Sequence, residues 1–167
     1  ALHVSEQQQA DMAAEGKPIV VRPSYEILKT LVNEHGREGK KNGKGFYDYP
    51  TEGDKYLWPE LVNLYPPKSE QPSQQDLVDR LMFIQANESA KCYEENVVRS
   101  VADTNIGSIF GWGFAPQHGG TLQFINAMGV SAFVERSREL AAKYGERFEP
   151  AQILLDMAAK GEAFSDD

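Results

Sequence analysis

Apolar residues recur at helical spacing along most of the chain. In PSYEILKTLVNEH at 23–35, one stripe holds Ile27, Leu28, Leu31 and Val32. Pro23 suits a first helical turn, and Gly36 suits a C-terminal stop. Similar patterns predict helices at about 1–15, 73–96, 119–128, 130–145 and 150–160, and a short one from Ser100 that ends before 111. No segment alternates over more than four residues, so the pattern predicts an all-α fold.

The longest predicted helix, 73–96, contains no proline or glycine. Ser73 and Asp76 have the spacing of a helix N-cap, as do Ser100 and Asp103 at the next helix. A wide apolar face predicts a central core helix, and it consists of Leu77, Val78, Leu81, Met82, Phe83, Ile84 and Ala86. The later predicted helices carry apolar residues at helical spacing, namely Phe133, Val134, Leu140 and Ala141, and Ile153, Leu154, Met157 and Ala158.

Residues 51–72 carry four prolines between polar flanks. Proline disfavours helix interiors, so this segment is predicted to be a connector with a short helical turn around Pro59–Tyr65.

Composition narrows the class of protein. With 41% apolar and 10% aromatic residues in 167, the chain can form a packed globule. A net charge of −8 argues against nucleic-acid binding, which needs a basic face. Cys92 is the only cysteine, which excludes an intramolecular disulfide, and we predict a buried thiol there.

The chain has no apolar run near the roughly 20 residues of a membrane-spanning helix, and no signal peptide is visible. Its opening, ALHVSEQQQ, lacks an initiator methionine and is already helix-like. We therefore expect the start to be a cut inside a larger protein.

The segment GREGKKNGKGFYDYP at 36–50 places four cations among four glycines in an otherwise acidic chain. A phosphate-binding Walker loop needs four residues between the first glycine and the Gly-Lys pair, but Gly39 and Gly43 are separated by three. That motif is rejected. A helix C-cap followed by a solvated turn is favoured, and a docking loop stays open.

Other motifs give little chemistry. GWGFAP at 111–116 has no third glycine and no surrounding βαβ unit, so it does not predict dinucleotide binding. His118 precedes a glycine pair, where packing or capping is favoured over ligand contact. His3 and His35 have no metal-ligand partners in sequence, and we predict no metal site. No serine has a nucleophile-elbow context. The residues alone predict a helical module without its own catalytic centre.

Three stretches together resemble the C-terminal domain of 3-hydroxyacyl-CoA dehydrogenases. They are GREGKKNGKGFYDYP, the helix DRLMFIQANESAKCYEENVV, and FGWGFAPQHGGTLQFINAMG. The last is most similar to the multifunctional members, the α-subunits of fatty acid β-oxidation complexes, which join an enoyl-CoA hydratase to the dehydrogenase. The resemblance covers about 23–160.

The resemblance implies a helical domain of the 6-phosphogluconate dehydrogenase C-terminal-like type, built from two related halves. Residues 1–50 would be the remainder of a first half truncated at its N-terminus, 51–72 the connector, and 73–167 the second half, within one compact domain. Asp79-Arg80-Leu81 would open the second half. Phe46, Tyr47 and Tyr49 would pin the glycine-rich turn to the core.

The implied reaction oxidises (S)-3-hydroxyacyl-CoA to 3-oxoacyl-CoA with NAD⁺. In the family an N-terminal Rossmann domain binds NAD and supplies a His–Glu pair, and a further Asn comes from the first-half helix. None of these maps onto this sequence. We therefore expect no catalytic residue and no cofactor in this chain, which would supply substrate closure and dimerisation and be inactive alone.

Among site residues, Phe110 stands where the bacterial complex has a tyrosine at the acyl-CoA site, so the aromatic body is kept and the hydroxyl is lost. Lys40, Lys41 and Lys44 are further candidates for substrate contact. Ala115 departs from the family proline, and Asn96 replaces a glycine at a helix C-cap, which asparagine tolerates.

Expected partners are acyl-CoA, the Rossmann domain, a second copy of the chain and a thiolase subunit. Bacterial cytoplasm is the expected compartment, with the mitochondrial matrix second. Two alternatives stay open, namely a non-enzymatic interaction module with a basic docking loop, and the helical domain of another two-domain dehydrogenase.

Overall fold

The computed structural model describes residues 2–19, 21 and 23–166, and it is mostly helical, as the periodicity predicts. The first residue of the predicted helix 1–15 and the last residue of the predicted second half lie outside the described residues. The chain divides into two compact units, Ala1–Gln71 and Pro72–Asp167.

Unit 1 (Ala1–Gln71) begins with helices α1 (Leu2–Ala14) and α2 (Pro23–Lys29). The predicted helix 23–35 is correct in extent, but its second half, Thr30–Glu34, is a wider π-helical turn. After the helix stops at Gly36, with φ +62°, a 3₁₀ turn covers Lys40–Asn42. Strands β1 (Tyr47–Asp48) and β2 (Tyr56–Leu57) form an antiparallel hairpin that the sequence pattern does not predict, and α3 (Leu61–Leu64) follows.

Unit 1 has a small core. Leu31 is the buried apolar side chain among its described residues. Tyr47 and Tyr49 are half-buried, whereas Phe46 is 43% exposed. The prediction that Phe46 pins the turn to a core is therefore wrong, because the described residues around it bury little apolar surface.

Unit 2 (Pro72–Asp167) contains α4 (Gln74–Glu94), α5 (Val101–Trp112), α6 (Thr121–Met128), α7 (Val130–Tyr144) and α8 (Gln152–Lys160). Short 3₁₀ turns at Pro116–His118 and Glu146–Phe148 precede α6 and α8. Both predicted caps are confirmed, since Ser73 Oγ accepts from the Asp76 amide and Ser100 Oγ from the Asp103 amide. Asn96 has φ +57°, the left-handed cap conformation that its position predicts.

The core of unit 2 forms where α4, α6, α7 and α8 meet. Phe83 of α4 stacks on Phe133 of α7 with ring centroids 4.3 Å apart, and Phe124 of α6 packs edge-on against both. The apolar residues singled out in α7 and α8 lie on the inner faces of these helices. Phe133, Val134, Leu140, Ala141, Leu154 and Met157 are buried, and Ile153 and Ala158 are half-buried.

The predicted core face of α4 is wrong in part. Phe83 and Ala86 are buried, but Leu77, Val78 and Leu81 are 46%, 48% and 66% exposed. The buried face instead begins with Asp76 and Asp79, because α7 and its C-terminal turn present cationic and hydroxyl groups to that side of the helix. Cys92, predicted to be buried, is half-buried.

Buried polar side chains connect the loops of unit 2 to its helices. The Asn87 amide donates to the carbonyls of Phe148 and Glu149 at 3.1 Å, and its oxygen accepts from the Ala151 amide. At the C-terminal tail, Asn126 exchanges two hydrogen bonds with the backbone of Phe164. The Asp166 carboxylate accepts from the first two amides of α5, Val101 and Ala102. The tail therefore caps α5 and limits its fraying.

Candidate functional site

The first candidate site is the glycine loop, defined here as residues 36–50, and Arg37 organises it. The Arg37 side chain is buried, and its Nε donates to the Gly45 carbonyl at 2.6 Å. Its Nη2 donates to Asp48 Oδ1 at 2.6 Å, and the guanidinium lies 4.2 Å from the centre of the Trp58 ring. One of the four cations of the segment is therefore structural.

Sequence reasoning counted Arg37 with the lysines and missed this role. The signal that could have separated it is Asp48, the acidic residue that follows the glycines and can close an ion pair across the loop. A planar guanidinium can bind a carboxylate and carbonyls at once, which an ammonium group does less well.

The glycines of the loop allow a tight reversal. Gly39 and Gly43 have φ of +95° and +74°, a region that residues with a Cβ rarely adopt. Their backbones bracket the 3₁₀ turn, and Gly39 exchanges hydrogen bonds with Lys44. A Cβ on Gly45 would stand 2.9 Å from the Cα of Gly39, so the two chain segments pack closer than any other residue allows.

The three predicted lysines lie together on the surface of this loop. Lys40, Lys41 and Lys44 are all exposed. Lys41 pairs with Glu38 at 2.8 Å, and this hydrogen bond raises the pKa of its ammonium group. The geometry presents positive charge to solvent, which is compatible with a solvated turn and with an anionic partner alike.

Beside the loop, unit 1 contains an open pocket of about 390 Å³. Its walls come from the start of α1, from α2 and the π-helical turn that follows it, and from both arms of the glycine loop, where Arg37 and Glu38 add charged groups. The walls are mainly apolar or aromatic, formed by Leu2, Leu28, Leu31, Val32, Phe46, Tyr47 and Tyr49. We call this cavity the α1–α2 pocket.

The second candidate site is the outer face of α5, which carries Phe110. Its side chain is 84% exposed, and Ile106, one turn earlier on the same face, is 56% exposed. Gly107 and Gly111 lie beside them with open space around the position of an added Cβ. The structure therefore places the predicted contact residue where a ligand or protein surface could pack against it. It lies in unit 2, and the three lysines lie in unit 1.

The GWGFAPQHGG segment forms the end of α5 and the entry to α6. Gly113 has φ +79°, and the Phe114 amide donates to the Ser108 carbonyl. A Cβ on Gly120 would stand 2.4 Å from the Cα of Asn105, whose side-chain oxygen accepts from the Leu122 and Gln123 amides. Gly120 therefore allows α5 and α6 to meet closely.

His118 packs against aromatic side chains. It is half-buried, with its ring 5.1 Å from the Phe124 ring and tilted against Phe114. This agrees with the favoured packing reading of its position.

A cluster of charged side chains between α4 and α7 is structural, and the sequence pattern did not predict it. Asp76 accepts hydrogen bonds from Lys143, Tyr144 and Arg136, which hold the pKa of its carboxyl well below the usual range. Asp79 accepts from Arg136 Nε at 2.8 Å. The pKa of Arg136 is raised by Glu139 and Asp76, and that of Lys143 by Asp76.

The two carboxylates of the cluster lie on α4, the helix that also carries Phe83 of the core. The three side chains that donate to them lie on α7. In the sequence, Asp76 and Asp79 stand at helical spacing on the same side of α4 as Phe83. This pattern could have predicted that cations of another helix pair with them. All three donors are satisfied within the protein, so we assign the cluster to packing of α4 on α7 and not to chemistry.

Among the described residues, no group of histidine, cysteine and acidic side chains could hold a metal ion. Across the same part of the chain, no helix is both long and apolar enough to cross a membrane.

The chain is similar in sequence to known proteins. No protein-family model matches the chain. It is 38% identical to the fatty acid oxidation complex subunit alpha of Vibrio campbellii, with 93% of the chain aligned. The matched residues are a C-terminal part of that subunit, and the chain spans 23% of the relative's length.

Proposed function

Because the chain is homologous to a C-terminal part of the fatty acid oxidation complex α-subunit, we propose that it is the helical C-terminal domain of a 3-hydroxyacyl-CoA dehydrogenase of fatty acid β-oxidation. In this proposal it closes over the acyl-CoA substrate and contributes to dimerisation. The observation that carries the proposal is 38% identity along nearly the whole chain.

The fold type belongs to the same proposal. The mostly helical structure is compatible with a 6-phosphogluconate dehydrogenase C-terminal-like domain of two related halves. Residues 1–50 would be the end of the first half, 51–72 the connector, and 73–167 the second half. The long helix α4, which carries Asp79-Arg80-Leu81 in its second turn, would open that second half.

The intact enzyme would use NAD⁺, and the described residues do not fit that cofactor. The GWGFAP segment is a helix C-cap followed by a 3₁₀ turn, and β1 and β2 form an antiparallel hairpin. Dinucleotide binding requires a glycine-rich turn between a strand and a helix. We therefore derive no hydride-transfer step from this chain and assign NAD and the acid–base pair to a Rossmann domain elsewhere in the enzyme.

Phe110 is the residue that we propose for substrate contact. An aromatic ring that is 84% exposed on a capped helix offers apolar area without a hydrogen-bonding hydroxyl. The contribution would be packing against the pantetheine or acyl portion of the substrate. Lys40, Lys41 and Lys44 would add attraction to the phosphates of CoA only if the assembled enzyme brings the glycine loop near them.

A chimeric enzyme tests the function. The matched C-terminal part of the Vibrio campbellii subunit is replaced by this chain, and NADH oxidation with acetoacetyl-CoA is measured. We expect activity in the chimera, and none in this chain alone or in the subunit truncated at the junction. A well-folded chimera no more active than the truncated subunit would contradict the proposal.

Variants of the chimera separate the roles of the site residues. Phe110→Ala should raise KM for acetoacetyl-CoA, and Phe110→Tyr should not, because tyrosine keeps the aromatic body. Exchanging Lys40, Lys41 and Lys44 for glutamine raises KM if they contact CoA and leaves kinetics unchanged if they are a solvated turn.

The alternative function is an interaction module in which the lysines bind an acidic partner. Weakened assembly of the triple glutamine variant at unchanged KM would favour it. A second copy of the chain and a thiolase subunit are proposed partners, since the relative is named as a subunit of a complex. The bacterial cytoplasm stays a prediction, and the bacterial relative gives no support to the mitochondrial alternative.

A further inference from the structure

Two side chains of α5 bind the first backbone amides of α6. The Asn105 side-chain oxygen accepts from the amides of Leu122 and Gln123, at 2.9 and 3.0 Å. The Ser108 hydroxyl accepts from the Thr121 amide at 3.2 Å. The first amides of a helix have no acceptor within it, so α5 supplies acceptors that α6 lacks. We call these three hydrogen bonds the α5–α6 lock.

The backbones of the two helices approach closely at the lock. A Cβ on Gly120, which immediately precedes α6, would lie 2.4 Å from the Cα of Asn105. Ser108 is fully buried, and its hydroxyl also donates to the Asn105 carbonyl at 2.7 Å. Turning α5 away from α6 would leave buried amides without acceptors, which is costly.

The side chain of Thr121 takes no part in the lock. It is fully buried, and its hydroxyl has no hydrogen-bond partner among the described residues. The polar joint at the start of α6 therefore depends on the acceptors that α5 supplies.

Phe110 lies on the side of α5 opposite to the lock. Successive residues of an α-helix are about 100° apart around its axis, so Asn105 and Ser108 share one side and Phe110 falls nearly opposite them. The exposures agree, since Ser108 is fully buried and the Phe110 side chain is 84% exposed. A lock that fixes one side of the helix also fixes the direction in which the other side faces.

We infer that Asn105 and Ser108 are positioning residues, which hold the rotation of α5 about its axis and so direct Phe110 outwards. This inference rests on the proposed function, in which Phe110 packs against the acyl-CoA substrate. Asn105 and Ser108 act through α5 and do not themselves touch the substrate. Substrate affinity thus depends on two side chains on the far side of the helix from the substrate.

Trp112 is a reporter of this rotation within the same helix. It lies on the lock side, one turn after Ser108, and its indole N–H donates to the Gln85 side-chain oxygen of α4 at 2.9 Å. If α5 turns, the indole leaves Gln85 and its N–H exchanges with solvent more readily. Indole exchange, followed by NMR in this chain alone and assigned with Trp112→Phe, therefore measures the lock independently of enzyme activity.

Two variants break the lock to different degrees. Asn105→Ala removes the acceptor of two amides and should speed indole exchange about tenfold, the equivalent of one lost hydrogen bond. Ser108→Ala removes the acceptor of one amide and should have a smaller effect. Asn105→Asp keeps an acceptor oxygen at the start of α6, where negative charge is favourable, and should preserve slow exchange.

The same variants, made in the chimera with the Vibrio campbellii subunit, test the positioning of Phe110. Asn105→Ala should raise KM for acetoacetyl-CoA as Phe110→Ala does and leave kcat unchanged, because only binding is lost. The double variant should raise KM no further than Phe110→Ala alone, since a misdirected ring and an absent ring lose the same contact. Asn105→Asp should keep the parent KM.

Two control variants separate positioning from stability. Ser100→Ala removes the N-cap of α5 itself, the acceptor of the Asp103 amide, and should lower the urea midpoint of unit 2. Thr121→Val removes the unbonded hydroxyl beside the lock and keeps the shape of the side chain. Both controls should leave indole exchange and KM unchanged.

Three results would overturn the inference. The first is unchanged indole exchange in Asn105→Ala. The second is faster exchange with an unchanged KM, in a chimera in which Phe110→Ala raises KM. The third is that Ser100→Ala, at an equal loss of stability, speeds exchange and raises KM as much as Asn105→Ala does. An inactive chimera, or an unchanged KM for Phe110→Ala, would instead contradict the proposed function, and indole exchange would still decide whether the lock holds α5.

Discussion

Arg37 and Asp48 form an ion pair across the glycine loop, with Nη2 and Oδ1 2.6 Å apart. The side chain of Arg37 is 6% exposed and that of Asp48 is 21% exposed, so the pair is shielded from solvent. Together with the bond to Gly45 and the stacking on Trp58, it joins the C-terminal end of the π-helical turn to β1. The loop is thus a folded element with three lysines on its surface.

Arg37→Lys should lower the free energy of unfolding of unit 1 by about 2 kcal/mol, because lysine keeps the charge but leaves buried acceptors without their donors. Urea unfolding followed by Trp58 fluorescence in a Trp112→Phe background measures this, since these are the two tryptophans of the chain. The control Lys41→Gln, at an exposed side chain, should stay within about 0.5 kcal/mol. Equal effects of the two variants would contradict the role of Arg37.

The Asp76 carboxylate should make unit 2 more stable at neutral than at acid pH. Lys143, Tyr144 and Arg136 donate to it and depress its pKa in the folded state. In the unfolded chain an aspartate has a pKa of about 3.9. The stabilisation by the Asp76 carboxylate is therefore complete above that pH. It is lost as the pH falls from there towards the lower pKa of the folded state.

Asp76→Asn should therefore lower the melting temperature at pH 7, and its difference from the parent should shrink below about pH 4. Thermal unfolding by circular dichroism between pH 3 and 8 measures both. Asp103→Asn, at an exposed carboxyl in the first turn of α5, is the control and should give a small difference. If the difference in melting temperature between the parent chain and Asp76→Asn stays constant as the pH falls below about 4, the carboxylate does not have this stabilising role.

Gly120→Ala and Gly107→Ala should have opposite effects on unit 2. At Gly120, φ is +108° and an added Cβ would lie 2.4 Å from Asn105, so we expect a loss of more than about 1 kcal/mol. Gly107 is inside α5 with open space around its Cβ position, and alanine there should add up to about 1 kcal/mol. Urea midpoints of the two variants decide this, and a tolerated alanine at Gly120 would contradict the close approach of α5 and α6.

Phe83→Ala should cost about 3–5 kcal/mol of unit 2 stability, since its ring is fully buried against Phe133 and Phe124. Leu81→Ala should change the stability of this chain by no more than about 0.5 kcal/mol, because Leu81 is 66% exposed. Chemical denaturation of both variants is the measurement. A large loss at Leu81 would mean that its face is covered in solution by a second copy of the chain.

Prediction from sequence succeeded for local features. The helix at 130–144, the caps at Ser73 and Ser100 and the left-handed Asn96 follow from periodicity and short-range hydrogen bonding, which neighbouring residues decide. The β1–β2 hairpin was missed because each strand has two residues, too few for an alternating pattern.

The sequence indicated which residues belong to the candidate sites, but it did not indicate what each of them does there. Phe110 could be singled out by resemblance, but its exposure on the outer face of α5 depends on which side of that helix faces α6. The segment 36–50 contains four cationic side chains that the sequence does not distinguish. The path of the loop buries Arg37 and leaves the three lysines in solvent.

The sequence by itself determined that this protein is mostly helical, where most of its helices lie, and which family of enzymes it resembles, because these depend on spacing and on short motifs. The tertiary structure alone decided which side of α4 is buried. In α4, Leu81 and Phe83 are both apolar and two residues apart, and α7 meets the side that carries Phe83 and the two aspartates. Burial depends on the partner that a face meets, and that partner lies about 50 residues away in sequence, from Phe83 to Phe133.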